Sequence, residues 1–167
     1  NGQGAVTITV HASTAALPAS AQFAGEQFSD AAGVGVPALD GYSFPYGLAQ
    51  FVLQNVGTGN AVTLRIRYPG AVPAQAEYWK YAKTTPTGAA HWYSLPMRRV
   101  DAQTIDITLT DGAQGDADAT ADGHITDPGG LAVPTAVAPG GAVAATPVPV
   151  SSAWMLALLV AMLAGLA

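Results

Sequence analysis

The sequence predicts an all-β protein, built as an antiparallel β-sandwich of short strands and followed by a Pro- and Ala-rich linker and one hydrophobic C-terminal α-helix. Three observations carry this prediction. Apolar and polar residues alternate with a period of two in several runs, Gly, Pro and Asn separate these runs, and no amphipathic helical pattern lies among them. This pattern is typical of sandwiches of antiparallel strands.

Composition divides the 167 residues into three parts. We expect a β-sandwich domain over residues 1–131, a linker over residues 132–151 and a hydrophobic helix over residues 152–167. The linker carries no charged residue and is rich in Ala, Pro and Gly, which predicts an extended segment without a core of its own.

Regular alternation predicts the first and last strands of the sandwich domain. Residues 5–11 alternate around Val6, Ile8 and Val10, and residues 103–110 alternate around inward-facing Ile105, Ile107 and Leu109. Between them, the Ala- and Gly-rich residues 12–40 predict a loop with a short strand near residues 22–28.

The central runs predict a β-hairpin. Residues 48–56 and 61–68 are both strand-like, and the turn residues Gly57 to Asn60 separate them. Arg65 and Arg67 occupy the polar face of the second run. They could form an anion site, but paired arginines on an outer strand face favour a solvated surface.

Aromatic residues dominate two further short strands, at residues 77–81 and 91–96, and a turn is expected at residues 97–100. Clustered Trp and Tyr rings can bind the flat faces of sugars, or they can fill the core of a small sandwich. The second interpretation is favoured, and glycan binding stays open as the alternative.

Charge and motifs exclude several classes of function. The net charge is −5 with only six Lys and Arg, so no basic surface for nucleic acid is expected. There are no cysteines, which excludes disulfides and thiolate metal sites. The chain lacks a Gly-x-Ser-x-Gly, a His-Glu-x-x-His and a phosphate-binding loop, and we therefore expect no enzymatic activity.

An acidic segment, residues 110–130, holds five of the eleven acidic residues and no Lys or Arg. Oxygen ligands at short spacing on a curved loop are what Ca²⁺ requires, so we predict a calcium-stapled β-loop. The predicted ligands all carry side-chain oxygens, and they are Asp111, Asp116, Asp118, Thr120, Asp122 and Asp127. A solvated acidic turn without metal is the alternative, because Asp and Gly are common in turns.

Two registers of an EF-hand-like loop fit the acidic segment in part. With Asp118 as the first ligand, Gly123 takes the turn position, but Gly129 stands where a Glu is usual. With Asp116 first, Asp127 reaches the twelfth position and the glycine is displaced. Neither register is complete, and no amphipathic helix flanks the loop.

The C-terminal segment, residues 152–167, is apolar after its first serine. We expect a helix of about 24 Å, which is shorter than a hydrocarbon core of about 30 Å. It therefore predicts either a short membrane anchor or an assembly helix that meets other copies of the chain in a homo-oligomer. The large side chains expected to make these contacts are Trp154, Leu156, Leu158, Leu159 and Leu163.

Two parts of the chain resemble known bacterial sequences. Residues 44–47, 78–81 and 92–93, together with the acidic segment, resemble the choice-of-anchor U domain of bacterial surface proteins, over about residues 40–131. The chain differs at Ala119, where that family commonly has Gly. Residues 148–154 and the apolar run after them are similar to an IPTL-type C-terminal sorting signal. Ala153 replaces an acidic residue that this signal usually has.

These resemblances imply a secreted surface module of a Gram-negative bacterium, which meets a membrane or a sorting protease and catalyses no reaction. Together with the apolar segment, they lead us to expect an extracellular or cell-surface structural protein that assembles into a filament or surface layer. A membrane-anchored adhesin or carbohydrate-binding module is the alternative function.

Overall fold

The computed structural model describes residues 4–135. These residues form ten strands and one four-residue helix, α1 (Ala31–Val34). The strands, in chain order, are β1 (Thr7–Ser13), β2 (Gln22–Ser29), β3 (Tyr42–Ser43), β4 (Leu48–Gln54), β5 (Ala61–Arg67), β6 (Glu77–Ala82), β7 (His91–Leu95), β8 (Met97–Arg99), β9 (Thr104–Thr110) and β10 (Ile125–Pro134).

The strands form two antiparallel sheets. The four-stranded sheet has the order β1-β5-β9-β8, and the six-stranded sheet has the order β2-β4-β10-β6-β7, with β3 also paired to β10. The all-β, antiparallel class predicted from the sequence is confirmed for residues 4–135. The predicted helix at residues 152–167 lies outside the described residues. Within the described part of the chain, no helix is long and apolar enough to cross a membrane.

One hydrophobic core takes side chains from both sheets, which makes the arrangement sandwich-like. On β5 and β9 of the four-stranded sheet, the inward positions predicted from alternation are confirmed. The core members from β5 and β9 are Val62, Leu64, Ile66, Ile105, Ile107 and Leu109. The six-stranded sheet contributes Phe51, Leu53, Tyr78, Leu95, Ile125 and Leu131.

The predicted hairpin of residues 48–68 is wrong, because β4 and β5 belong to different sheets. β4 pairs with β2 and β10, whereas β5 pairs with β1 and β9. Within the link between them, Val56 and Asn60 are buried, and Val56 N donates to Gly123 O at 2.8 Å. The link thus crosses one end of the core instead of turning the chain back beside itself.

The largest correction concerns β10, where the sequence predicted loop and then linker. Residues 125–129 pair with β4 and residues 129–132 pair with β6, so this strand lies inside the six-stranded sheet and ends three residues past the predicted boundary at 131. Pro128 lies one residue before the pairing with β6 begins, where a missing N–H is tolerated. The Pro-Gly-Gly run that indicated a turn is therefore part of a central strand.

Two smaller predictions also fail. Residues 97–99, expected to turn, form β8, which pairs with β9 through Met97 and Ile107. Val10, expected to face inward, is 37% exposed although it pairs with buried Leu64, because β1 is an edge strand of its sheet.

Candidate functional site

The acidic segment begins with Asp111, which joins two links at one end of the sandwich. One of its carboxylate oxygens accepts from Gly59 N at 2.7 Å, and the other accepts from Gly123 N at 3.1 Å. The Asp122 N–H adds a longer bond of 3.3 Å. Asp111 is 2% exposed. Its side chain therefore holds the β4–β5 link against the acidic segment through backbone donors.

Asp116 holds the segment in the same way and is fully buried. Its two oxygens accept from Gly112 N at 2.9 Å and from Thr126 N at 3.0 Å. Burial raises the pKa of this carboxyl, against the two backbone hydrogen bonds, which lower it. The bond to Thr126 fixes the start of β10 relative to the loop.

The other loop residues predicted as ligands are exposed and make local bonds. Asp118 accepts from Thr120 N at 2.8 Å, and Asp122 accepts from His124 N at 2.9 Å. Between them, Ala119 has a φ of 55°, in the left-handed region that favours glycine. The family that this segment resembles commonly has Gly at that position.

Asp127 lies apart from these residues, on β10, and is fully buried. Lys80 Nζ contacts Oδ1 as an ion pair, and Tyr78 donates its hydroxyl to Oδ2 at 3.1 Å. The cation that faces this carboxylate is therefore a lysine from β6, which the local sequence of the acidic segment does not contain.

The predicted ligands do not converge on one point. In residues 4–135, no group of three or more Asp, Glu or His side chains is placed to hold a metal ion. The oxygens of Asp111 and Asp116 already face N–H donors, an arrangement that satisfies a carboxylate without metal. Calcium binding stays a prediction from the spacing of the ligands.

A buried polar cluster of Tyr78, Lys80 and Asp127 lies between β6 and β10. Lys80 and Asp127 are both 0% exposed. Burial lowers the pKa of Lys80 and raises the pKa of Asp127, and their mutual attraction opposes both shifts. Burial also raises the pKa of Tyr78, so this side chain carries its proton and acts as a donor. We call these three residues the buried cluster.

Gly129 makes room for the buried cluster. It stands directly opposite Lys80 in the β6–β10 register. A Cβ added at Gly129 would lie 2.8 Å from Asp127 Oδ1, 2.9 Å from Lys80 Cγ and 2.9 Å from Tyr78 Cε1. The lysine side chain thus crosses the space above this glycine to reach the carboxylate two residues earlier on β10.

An aromatic face covers the opposite side of the six-stranded sheet, where the sequence favoured core packing. Because side chains alternate along β6, inward Tyr78 and Lys80 place Trp79 and Tyr81 outside. These half-buried rings touch neighbours, with Tyr42 and Trp79 centroids 5.1 Å apart and Tyr81 and Trp92 centroids 5.4 Å apart. The prediction that these aromatic residues pack in the core is therefore right for Tyr78 and wrong for Trp79 and Tyr81.

The four-stranded sheet carries an ion-pair cluster on its outer face. Arg65 donates two hydrogen bonds to Asp106, from Nε to Oδ1 at 2.8 Å and from Nη2 to Oδ2 at 3.0 Å. Arg98 also contacts Oδ2. The Arg65 and Arg98 guanidinium groups hold the pKa of Asp106 below its ordinary value, against the effect of burial. Arg65, expected to be solvated, is thus a bidentate partner on a sheet surface.

Sequence reasoning missed the buried cluster, although one signal was present. Along β6, Lys80 alternates in step with inward-facing Tyr78 and Ala82. Along β10, Asp127 alternates in step with inward-facing Ile125 and Leu131. Opposite charges that both occupy inward positions of strands indicate a buried pair. That signal becomes visible only when residues 125–134 are recognised as a strand.

Comparisons with protein-family models, with curated proteins and with solved structures found no match for this chain. The resemblance to the choice-of-anchor U domain and to the sorting signal therefore rests on the motif residues alone, and it stays a prediction.

Proposed function

We propose that this chain is a non-enzymatic structural protein of a bacterial cell surface, which assembles with copies of itself through its C-terminal segment. The observation that carries this proposal is the composition of residues 153–167, which contain no charged or polar side chain and follow a folded β-domain. An apolar run of this length requires lipid or protein to cover it. The resemblance to a bacterial surface module supports an extracellular location.

The folded β-domain suits a structural role. The domain is built of two sheets around one core, and backbone hydrogen bonds to Asp111 and Asp116 tie the links at one end. The side chains proposed to make the intermolecular contacts, from Trp154 to Leu163, lie outside the described residues. Insertion of the same segment in a membrane, or its removal by a sorting protease, is the competing role.

The test compares the full chain with a chain that ends at Ser151. We expect the full chain to form filaments or sheets without detergent, visible by negative-stain electron microscopy, and the shortened chain to be a folded monomer by sedimentation. A full chain that is dispersed to monomers by mild detergent and never forms ordered assemblies would support the membrane anchor and contradict self-assembly.

A matched pair of variants separates a specific contact from a general change in solubility. Leu159→Asp places one charge in the apolar segment, whereas Thr146→Asp places the same charge in the linker. Self-assembly predicts that the first variant abolishes the ordered structures and the second keeps them. Equal behaviour of the two variants would show that charge alone, and not the apolar contact, controls association.

Glycan binding is the second candidate function, and the aromatic face supports it. Trp79, Tyr81 and Trp92 lie outside the core and are half-buried, a placement that leaves ring surface for a sugar. If the face binds glycans, a glycan array gives a signal that Trp79→Ala removes and Arg67→Ala, on the other sheet, retains. An array without signal for the unaltered protein rejects this function.

A further inference from the structure

The buried cluster brings an amine and a carboxylate into direct contact inside the fold. Lys80 on β6 and Asp127 on β10 are 47 positions apart in sequence, both are fully buried, and Nζ touches Oδ1. The two strands are neighbours in the six-stranded sheet. Their contact is held by the strand register, which pairs Lys80 with Gly129 and leaves Asp127 diagonally adjacent.

The surroundings restrict how this pair can move. Gly129 has no side chain, and an added Cβ there would overlap the Asp127 carboxylate and the Lys80 side chain at Cγ. No positive φ is found at Gly129, so the glycine provides space and not an unusual backbone shape. Tyr78 donates to the Asp127 oxygen that does not face the lysine, at 3.1 Å. The amine and the carboxyl carbon are thus kept in one arrangement.

An apolar core favours uncharged forms of such a pair. Transfer of the proton from the Lys80 ammonium to the Asp127 carboxylate produces an amine and a carboxylic acid and removes two buried charges. A neutral amine beside a carboxylic acid is a nucleophile beside an electrophile. Fixed contact replaces the encounter of two free reactants, which raises the effective concentration of the amine greatly.

We propose that Lys80 and Asp127 become joined by an intramolecular amide bond between Nζ and Cγ, which the fold itself forms. The Nζ lone pair attacks Cγ, and the Cγ–Oδ1 bond then breaks. Of the three hydrogens of the original ammonium, two leave with Oδ1 as water and one stays on the amide nitrogen. The reaction converts one ammonium and one carboxylate into one amide and one water. No oxidant, reductant or cofactor is required.

Tyr78 has a defined part in this reaction. While Cγ is tetrahedral, negative charge collects on Oδ2, and the Tyr78 hydroxyl already donates to that atom. A donor placed at the developing charge stabilises the transition state. The negative charge of Asp116 raises the pKa of Lys80 and so opposes formation of the neutral amine, whereas burial favours it. Tyr78 is the residue that contacts the reacting group.

The bond would give this cysteine-free chain a covalent crosslink between two strands of one sheet. It would join β6 to β10 and would remain when the domain is unfolded. This inference is independent of the proposed assembly function, because it concerns only described residues of the β-domain.

The test is the intact mass of the purified full chain under denaturing conditions. We expect a mass lower than that of the sequence by one water molecule. Digestion with trypsin locates the change, because cleavage after Lys80 is blocked and the peptide of residues 68–83 stays joined to the peptide that begins at Val100. The full sequence mass together with free cleavage after Lys80 would overturn the proposal and leave an ion pair.

Loss of water at another position in the chain must be distinguished from formation of the Lys80–Asp127 amide. Asp40-Gly41, Asp111-Gly112 and Asp122-Gly123 are Asp-Gly sequences, which can lose water by forming a cyclic imide. In that case the missing mass would reside in the peptide of residues 1–65 or in the peptide from Val100 alone, with no link to residues 68–83. This outcome would also overturn the proposal.

Variants identify the groups that react. Lys80→Arg keeps a cation but cannot form the amide, so its mass should equal that of its sequence, whereas Lys83→Arg should still lose one water. Tyr78→Phe should lower the crosslinked fraction in a time course of intact mass that starts with newly synthesised chain, before the bond has formed. If Lys80→Arg does not fold, the digest of the unaltered chain still decides whether the amide forms, and the Tyr78→Phe time course still tests the role of Tyr78. An unchanged rate in Tyr78→Phe would remove Tyr78 from the mechanism.

Discussion

At the residue scale, two of the four buried acidic side chains in residues 4–135 act as acceptors for backbone donors. Asp111 and Asp116 each bind N–H groups from two separate segments. Their type and spacing indicated calcium because oxygen ligands for a cation and oxygen acceptors for N–H groups are the same atoms. Local sequence cannot distinguish the two uses, since the Gly59 donor comes from outside the acidic segment and the Thr126 donor depends on the formation of β10.

Removal of the Asp111 carboxylate should weaken the fold considerably. Asp111→Ala leaves the N–H groups of Gly59 and Gly123 without their acceptor, at a cost of about 2–3 kcal/mol in the free energy of unfolding. Urea unfolding in the presence of chelator measures this loss apart from any metal. Asp118→Ala is the matched control, because Asp118 is exposed and binds only Thr120 N, and it should cost below about 1 kcal/mol. Equal losses would contradict the structural role of Asp111.

The ion pairs of Asp106 predict that the free energy of unfolding depends on pH in the acid range. Its folded pKa is held below the ordinary value of 3.8 by Arg65 and Arg98, so the ionised form stabilises the fold above that pH. The contribution should be lost as the pH falls below 3.8 through the folded pKa. Asp106→Asn should remove this part of the pH dependence and cost about 1 kcal/mol at neutral pH.

Urea unfolding from about pH 6 to about pH 2 measures the effect of Asp106. Asp40→Asn, which removes a carboxylate outside the ion-pair cluster, controls for the general loss of one acidic group. Parallel stability curves for the unaltered protein and Asp106→Asn would show that the guanidinium contacts do not influence folding.

At the element scale, β10 shows where prediction from the sequence ends. Strands such as β5 and β9 were predictable because each alternates apolar and polar residues, which requires no knowledge of partners. β10 contains Asp127, Pro128 and two glycines, and each becomes favourable only beside residues distant in sequence. Lys80 neutralises the aspartate, and close neighbours occupy the space at the glycines.

Gly130 tests how tightly β10 is enclosed. A Cβ added there would lie 2.7 Å from Gly47 O and 3.0 Å from Leu48 Cδ2, so backbone would have to move. Gly130→Ala should therefore destabilise the protein by about 1–3 kcal/mol. Gly88→Ala is the control, because its added Cβ meets the rotatable Thr85 hydroxyl, and thermal unfolding should show a change below about 0.5 kcal/mol. A tolerated Gly130→Ala would mean that β10 can shift within the sheet.

The acidic loop between β9 and β10 allows a direct test of the calcium prediction. If Ca²⁺ binds there, calorimetry should give a higher melting temperature in calcium than in chelator, since a ligand of the native state stabilises it. Asp118→Ala and Asp122→Ala should remove this rise. Magnesium at the same concentration serves as the ionic control. Identical melting curves in calcium and in chelator would refute the prediction.

At the scale of the whole molecule, the class of fold was predictable and the pairing of strands was not. Alternation specifies which residues face a core, but it does not specify which strand lies beside which. The β4–β5 link shows this clearly, because a turn-like sequence connects two sheets instead of two paired strands. Burial of Val56 and Asn60 in the link is what favours the crossing, and this burial depends on the acidic segment that packs against it.

The position of β10 predicts which fragments fold. A chain of residues 1–136 contains the compact unit and should unfold cooperatively with the melting temperature of the full chain. A chain of residues 1–123 lacks β10 and leaves β4 and β6 without the strand between them, so it should show no cooperative transition. Circular dichroism during heating distinguishes the two. A cooperative transition in the shorter fragment would mean that the four-stranded sheet is stable alone.

The last strand of residues 4–135 is also an inner strand of its sheet, and this order has a consequence for biosynthesis. A ribosome releases the residues of β10 only after those of β1 to β9, so a polypeptide interrupted before β10 has two unpaired strand edges and an open core. Such products are substrates for proteases, whereas a finished chain closes its sheet at once. The topology thereby couples resistance to degradation to completed synthesis of the domain.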